Sequence, residues 1–324
     1  MQQNSVCKLL NIEKPMIQGP MAWISTAPLV AAVSNGGGLG VLGVGFAPPD
    51  FVEAQIRETR KLTDKPFGIN VVMLPQVLDA VTDVALKEKP DVIYADTLSD
   101  LELSLCEKYF SIWKAAGMKI IVKASTLADA LTAQQGGADL VVVKGWEGGG
   151  HVSLEATTVL VPQAVDALTV PVVASGGIAD GRGMAAAIAL GASGIEMGTV
   201  FMCAEEAAIH SNVKDAVIKA GDMDTVITGS CTGEPCRQIK NELSDQILKI
   251  EAENPAAKAA EMVKDIAESS LKKAMLEGDT EKEGAVMAGQ IAPLIKEVKP
   301  AAEIMESVLE QCKKGLEKSI SFIF

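Results

Sequence analysis

The run Gly145-Trp146-Glu147-Gly148-Gly149-Gly150-His151 places one of the chain's two histidines directly after three glycines. Three successive glycines are costly to order, and they open backbone conformations that other residues avoid. Such a loop can lie flat against a planar ring and aim one polar side chain at it. An imidazole there suits proton donation or an orienting hydrogen bond near neutral pH. The blander alternative is a histidine that caps a turn; its place after the triplet favours chemistry.

Two further glycine sites suit an anion. Ser175-Gly176-Gly177-Ile178-Ala179-Asp180-Gly181 and Glu196-Met197-Gly198-Thr199 each follow a short apolar run. Glycines there let backbone N–H groups approach a phosphate, a helix starting after Gly177 adds partial positive charge, and Thr199 adds a hydroxyl. Tight turns alone would also need these glycines. Weaker signals are Gln18, Gly19, Pro20, Met21 and Ala22, able to press backbone against a ring, and Asn70, able to bond a polar ring edge. Each equally suits packing or a turn.

The elements that position these residues alternate regularly. Apolar runs at Met16–Gly19, Leu39–Val44, Phe67–Val72, Asp91–Ala95, Lys119–Ala124, Leu140–Lys144, Pro171–Ser175 and Gly194–Phe201 read as strands. Helix-length segments lie between them, among them Ala27–Ser34, Pro49–Lys61, Thr126–Gly136, Thr157–Leu168 and Gly181–Leu190. Unbroken Val/Ile runs mark parallel strands covered by helices. About eight such units predict a (β/α)8 TIM barrel over residues 1–204, with the glycine sites where barrels of this kind bind phosphate. A doubly wound sheet is the alternative, but no GxGxxG follows the first strand. From about residue 205 the strand runs stop. Helices are expected over Asn241–Glu251, Ala256–Glu277 and Ala301–Lys318, giving a helical cap at 205–300 and a last helix at 301–324 that returns to the barrel.

Composition narrows the classes. A net charge of −13 argues against nucleic acid. No apolar stretch reaches the roughly 20 residues of a membrane span, and the N-terminus lacks a signal-peptide core. A cytoplasmic protein is expected. The six cysteines show no CxxC pair, so free thiols and no metal site are expected.

Taken together, IQGPMAW, KPFGINV, GWEGGGHVS, ASGGIADGRG, EMGTVF and GAVMAGQIAPLI resemble the flavin-dependent type II enoyl-acyl carrier protein reductases, a family related to the nitronate monooxygenases. The resemblance spans most of the chain, and the segment Met287–Gln290 tilts it towards the reductases. It implies an FMN-binding enzyme with His151 catalytic. It implies FMN contacts at Met21, Asn70, Gly176, Gly177, Gly198 and Thr199; further candidate cofactor contacts are Gly19, Pro20, Ala22, Lys123, Gly149, Gly150, Ser175, Met197, Met287 and Gln290. It further implies NADH or NADPH as electron donor, an acyl carrier protein or acyl-CoA substrate, and a homodimer.

This chain departs from the family pattern at Asp96, Lys123, Lys144 and Glu196, and in the loop Ala95-Asp96-Thr97-Leu98-Ser99. A lysine facing a flavin could steady its reduced anion or pair with Asp96. Arg237 and Lys240, read at helical spacing, are a candidate docking patch for an acidic carrier protein. Nitronate monooxygenase is the alternative function, and a flavin- or partner-binding protein without turnover is the third.

Overall fold

The computed structural model describes residues 4–97 and 100–323. Met1–Gln3, and Leu98 and Ser99 of the altered fourth-strand loop, lie outside the described residues.

Six parallel strands come first: β1 (Met16–Gln18), β2 (Leu39–Leu42), β3 (Phe67–Val72), β4 (Val92–Asp96), β5 (Lys119–Ala124) and β6 (Leu140–Lys144). A two-residue strand, β7 (Gly150–His151), stands outside their sheet, and β8 (Val172–Ser175) and β9 (Gly194–Met197) complete it. The sheet closes in the order β1-β2-β3-β4-β5-β6-β8-β9, with β9 pairing β1 through Ile17–Glu196 and Gln18–Met197. This is the expected TIM barrel. Its strands are apolar on both faces because both are covered: on β5, Ile121 packs inside the barrel with Ile17, Val41 and Val142, whereas Ile120 and Val122 join the layer beneath the helices. An N-terminal helix, Ser5–Leu10, adds Val6, Cys7 and Leu10 to the interior cluster. The side chain of Asn4 caps it by accepting from the N–H groups of Val6 and Cys7.

Three sequence expectations need correction. The eighth barrel strand ends at Met197, not Phe201, and Thr199–Met202 forms a helical turn after Gly198. Strands do not stop at residue 204: β10 (Thr225–Thr228) and β11 (Cys236–Ile239) join β7 in a three-stranded antiparallel sheet. Each has four residues of mixed polarity, and although β10 pairs with its neighbour β11, the other partner of β11, β7, lies far away in sequence, so periodicity does not reveal them. The helix expected over Ala256–Glu277 ends at Ala267. Ser269 takes a left-handed backbone (φ 61°), and a π-helical turn covers Lys273–Glu277.

The helices Glu242–Glu253 and Ala256–Ala267 share their own apolar cluster around Leu243, Ile247 and Val263. The last helix, Ala301–Ile323, packs on the barrel's outer helices. A Cβ on Gly181 would lie 2.2 Å from the Cys312 nitrogen, and one on Gly36 would lie 2.3 Å from Met305 Cε, so glycine permits both approaches. Among the described residues no helix is long and apolar enough to cross a membrane.

Candidate active site at the barrel mouth

The C-terminal strand ends surround one cavity, the face where TIM barrels carry their chemistry. It collects Gly19, Pro20, Met21 and Ala22 after β1, Asn70 on β3, and Lys123 on β5. Gly149, Gly150 and His151 line it after β6, with Ser175, Gly176 and Gly177 from β8 and Met197, Gly198 and Thr199 from β9. Met287 enters from the far C-terminal segment. Gln290 does not line this cavity. It lies in a second one beside Trp146 and Arg237, while its N–H donates to the Glu147 carbonyl at 2.9 Å. The residue therefore braces the loop from behind, because the turn beginning at Gly289 points its side chain away.

Each glycine of the triplet has a separate reason. A Cβ on Gly148 would meet Lys144 Cε at 2.5 Å; one on Gly149 would meet the Ala288 carbonyl carbon at 2.6 Å. Gly150 has φ +71°, a region that L side chains rarely adopt. The loop is also clamped from outside. Arg237, buried on β11, places its guanidinium 5.3 Å from the Trp146 ring centroid and donates to the Trp146 carbonyl at 3.2 Å. Arg237 is thus a strand residue committed to this loop, not half of a helical docking patch.

The glycines after β8 form a concave turn. Gly176 and Gly177 have successive positive φ angles of 89° and 72°. Among the described residues neither N–H has an acceptor within the chain. Consecutive N–H groups in such a turn make an anion-binding nest. The helix expected to assist is set back: it begins at Gly181, and Asp180 caps it by accepting from the N–H of Arg182 at 2.9 Å. Its first turn is already satisfied by a carboxylate, which leaves the nest, and not the helix, with free N–H groups. Thr199 accepts from the Gly289 N–H at 2.9 Å and keeps its own hydroxyl proton for another partner.

On the opposite side, Asn70 Oδ1 accepts from the N–H groups of Val44 and Gly45, both at 2.7 Å, which leaves its Nδ2 to donate elsewhere. Gln18, by contrast, spends its amide knitting β1 to Ser25 and Val41.

The four departures from the family pattern converge on the cavity floor. Lys123 and Asp96 form an ion pair at 2.6 Å. Glu196 accepts from the Tyr94 hydroxyl and, at 2.8 Å, from Ser175 Oγ. Burial raises the Glu196 carboxyl, and those hydrogen bonds and the two lysines oppose the rise. Burial, then the Glu196 charge, pushes the Tyr94 phenol well up. Lys144 donates to the carbonyls of Gly149 at 2.7 Å and His151 at 2.8 Å. Its ammonium is brought down to about 8, by burial first and then by the Lys123 charge. The His151 imidazole is held below its ordinary value by burial, Lys123 and Lys144, with Asp96 and Glu234 opposing.

Tyr94 and Glu147 also line the cavity, and sequence reasoning did not single them out. Tyr94 sits within an apolar strand run. Glu147, inside the glycine loop, accepts from the N–H and hydroxyl of Thr157 at 3.0 and 2.9 Å, and so caps the helix Thr157–Ala167.

The closed barrel, the glycine turn with free N–H groups, the triglycine-presented histidine and the polar cavity floor agree with a TIM-barrel oxidoreductase of the flavin-dependent class. A family model for nitronate monooxygenase matches residues 3–97 and 105–311. The chain belongs to that family, whose members are flavin-dependent oxidoreductases that use FMN. A "Probable nitronate monooxygenase" of Staphylococcus aureus (strain Newman) is 31% identical over 97% of this chain and 99% of its own length. The structure of FabK from Thermotoga maritima superposes with a TM-score of 0.92 at 38% identity, covering 99% of this chain and 100% of that one. A nitroalkane oxidase from Streptomyces ansochromogenes has a TM-score of 0.81 at 26% identity, covering 96% and 98%.

Proposed function

We propose that this cavity holds FMN and that the chain reduces trans-2-enoyl thioesters at the expense of NADH or NADPH. The residues fit the cofactor: the Gly176–Gly177 nest and Thr199 suit its phosphate, and Gly198 leaves its Cβ position clear to Met21 Sδ at 3.6 Å. Asn70 Nδ2 and Lys123 suit a polar ring edge. When bound, FMN supplies hydride transfer between the nicotinamide donor and the enoyl β-carbon.

The chain's own residues supply position and charge. His151 Nε2, on an imidazole held neutral, would orient the substrate by donating a hydrogen bond, and Glu234 Oε2 lies 3.8 Å from that nitrogen. The observation that carries the reductase reading is the wall formed by Leu271, Met287 and Ile291. It faces the glycine loops and gives an acyl chain apolar surface that a small nitronate would not need. On this reading residues 205–300 form the substrate-side cap, the thioester is carried by acyl carrier protein or coenzyme A, and the enzyme works in the cytoplasm as a homodimer.

The test is anaerobic NAD(P)H oxidation with crotonyl-CoA. Enoyl-dependent turnover without oxygen supports the reading; consumption that needs oxygen contradicts it. The second reading, nitronate oxidation, is favoured by the family match and the curated relatives. It predicts turnover of alkyl nitronates under air.

A further inference from the structure

We propose that Lys144 is a positioning residue for His151: its ammonium ties together the two carbonyls that bracket Gly150 and so fixes the imidazole at the cavity wall. The inference rests on the reading of His151 as the functional histidine.

The geometry is specific to this side chain. Lys144 ends β6, and the triglycine turn folds back over it, so that residue 144 reaches the carbonyls of residues 149 and 151 at 2.7 and 2.8 Å. The aliphatic stem passes where a Cβ on Gly148 would sit, 2.5 Å from Lys144 Cε. The glycine is therefore needed at least partly because a long side chain runs beneath it. Between the two bonded carbonyls lies Gly150, whose left-handed φ of +71° is the turn that projects His151. A carbonyl pair held by one ammonium fixes that turn from the inside, while β11 holds its outer edge.

An ammonium has three donors, and two are used here. An acidic residue could not do this work: a carboxylate would face two carbonyl oxygens with no proton to give. No ion pair joins Lys144 directly to a carboxylate among the described residues, while Asp96 and Glu196 act on its charge from nearby and favour the ammonium. Facing His151 are Lys144 on β6, Lys123 on β5, Asp96 on β4 and Glu234 before β11, with Cys236 opposite across the strand pair. Of these, the two lysines disfavour the imidazolium. Lys144 therefore has a second consequence besides position: it helps keep His151 neutral near pH 7. Loss of its proton above about pH 8 would remove that charge yet leave two N–H donors for the same two carbonyls.

The chain has only two histidines, which makes a direct test practical. Imidazole resonances of His151 and His210 would be followed through a pH titration by NMR in the full-length, FMN-saturated protein. In Lys144→Met, which keeps the stem and removes the donors, the His151 signal should broaden or split and titrate at higher pH, with His210 unmoved. In Lys144→Gln, which keeps amide donors without charge, the signal should stay sharp but titrate higher, as in Lys144→Met. In the Met variant kcat should fall on the order of 10²-fold, as misplaced catalytic groups do, with little change in KM. A His151 line shape and titration equal to wild type in the Met variant would overturn the proposal. Should that variant not fold, an unchanged His151 titration in Lys144→Gln would do the same. The titration reads the histidine and not turnover. Failure of FMN to bind would sink the flavin reading and leave this measurement valid on the protein alone.

Discussion

Cys236 stands directly opposite His151 in an antiparallel strand pair, and Arg237 stands opposite Gly150. The glycine loop is thus the edge of a small sheet whose other two strands come from residues 225–239. Arg237 adds a stack on Trp146 and hydrogen bonds to its carbonyl. Replacing Arg237 with Lys keeps the charge but removes the planar fork. The expected result is a loss of about 2 kcal/mol in urea unfolding, the scale for buried hydrogen bonds from a charged group. Turnover should fall by the same factor on coenzyme A and carrier-bound thioesters. A selective loss on the carrier-bound form would restore the docking role.

The nest after β8 predicts a contrast between two glycines. Gly176 has φ +89° and a Cβ there would lie 2.9 Å from the Gly145 carbonyl; Gly117 has φ +92° with open space around it. Alanine at either position should cost about 1 kcal/mol or more in backbone strain. Only Gly176→Ala should also weaken FMN binding, by roughly tenfold or more if one phosphate contact is lost. Flavin fluorescence titration of the two variants distinguishes the outcomes.

Lys144 predicts a pH signature in stability. Its folded-state value is about 8 against an ordinary 10.5, so between those limits the unfolded chain binds the extra proton. Stability from this group therefore rises with pH over that window and is flat below it. Relative to Lys144→Met, wild type should gain stability from pH 8 to pH 10 in urea unfolding. A constant difference would show that the ammonium is not held in a desolvating site.

His151→Gln should reduce kcat by roughly 10²- to 10⁴-fold, the range for loss of a positioned acid or orienting donor. Bound flavin should be retained, because the nest and Asn70 are untouched. Loss of flavin together with activity would make His151 a cofactor ligand instead.

Much of this was legible in the residues. The barrel followed from unbroken Val and Ile runs, since strands buried on both faces carry no competing pattern. The glycine turns of the cavity followed because glycines at strand ends mark close backbone approach, whereas Asn70 was a weak signal without the family resemblance and Met287 came from it. What stayed hidden lies in short segments without a clear strand pattern: β10 and β11 have four residues each of mixed polarity, and Arg237 and Lys240 mimic helical spacing while Arg237 is buried on a strand. Gln290 reads as part of the same motif as Met287, yet the turn between them sends the two side chains to different cavities. The helix after Gly177 looked available to an anion, although Asp180, directly before the expected start at Gly181, is the N-cap signal that the structure bears out. The departures at Asp96, Lys123, Lys144 and Glu196 were visible singly; their convergence on one cavity floor was not.

The most direct test is spectroscopic: the purified protein, loaded with FMN, is mixed anaerobically with NADH or NADPH and then with crotonyl-CoA. The account predicts bleaching of the flavin absorbance by the nicotinamide and its recovery on adding the enoyl thioester. Recovery that occurs only with oxygen would contradict the reductase assignment, and a protein that cannot be loaded with FMN would contradict the cavity assignment itself.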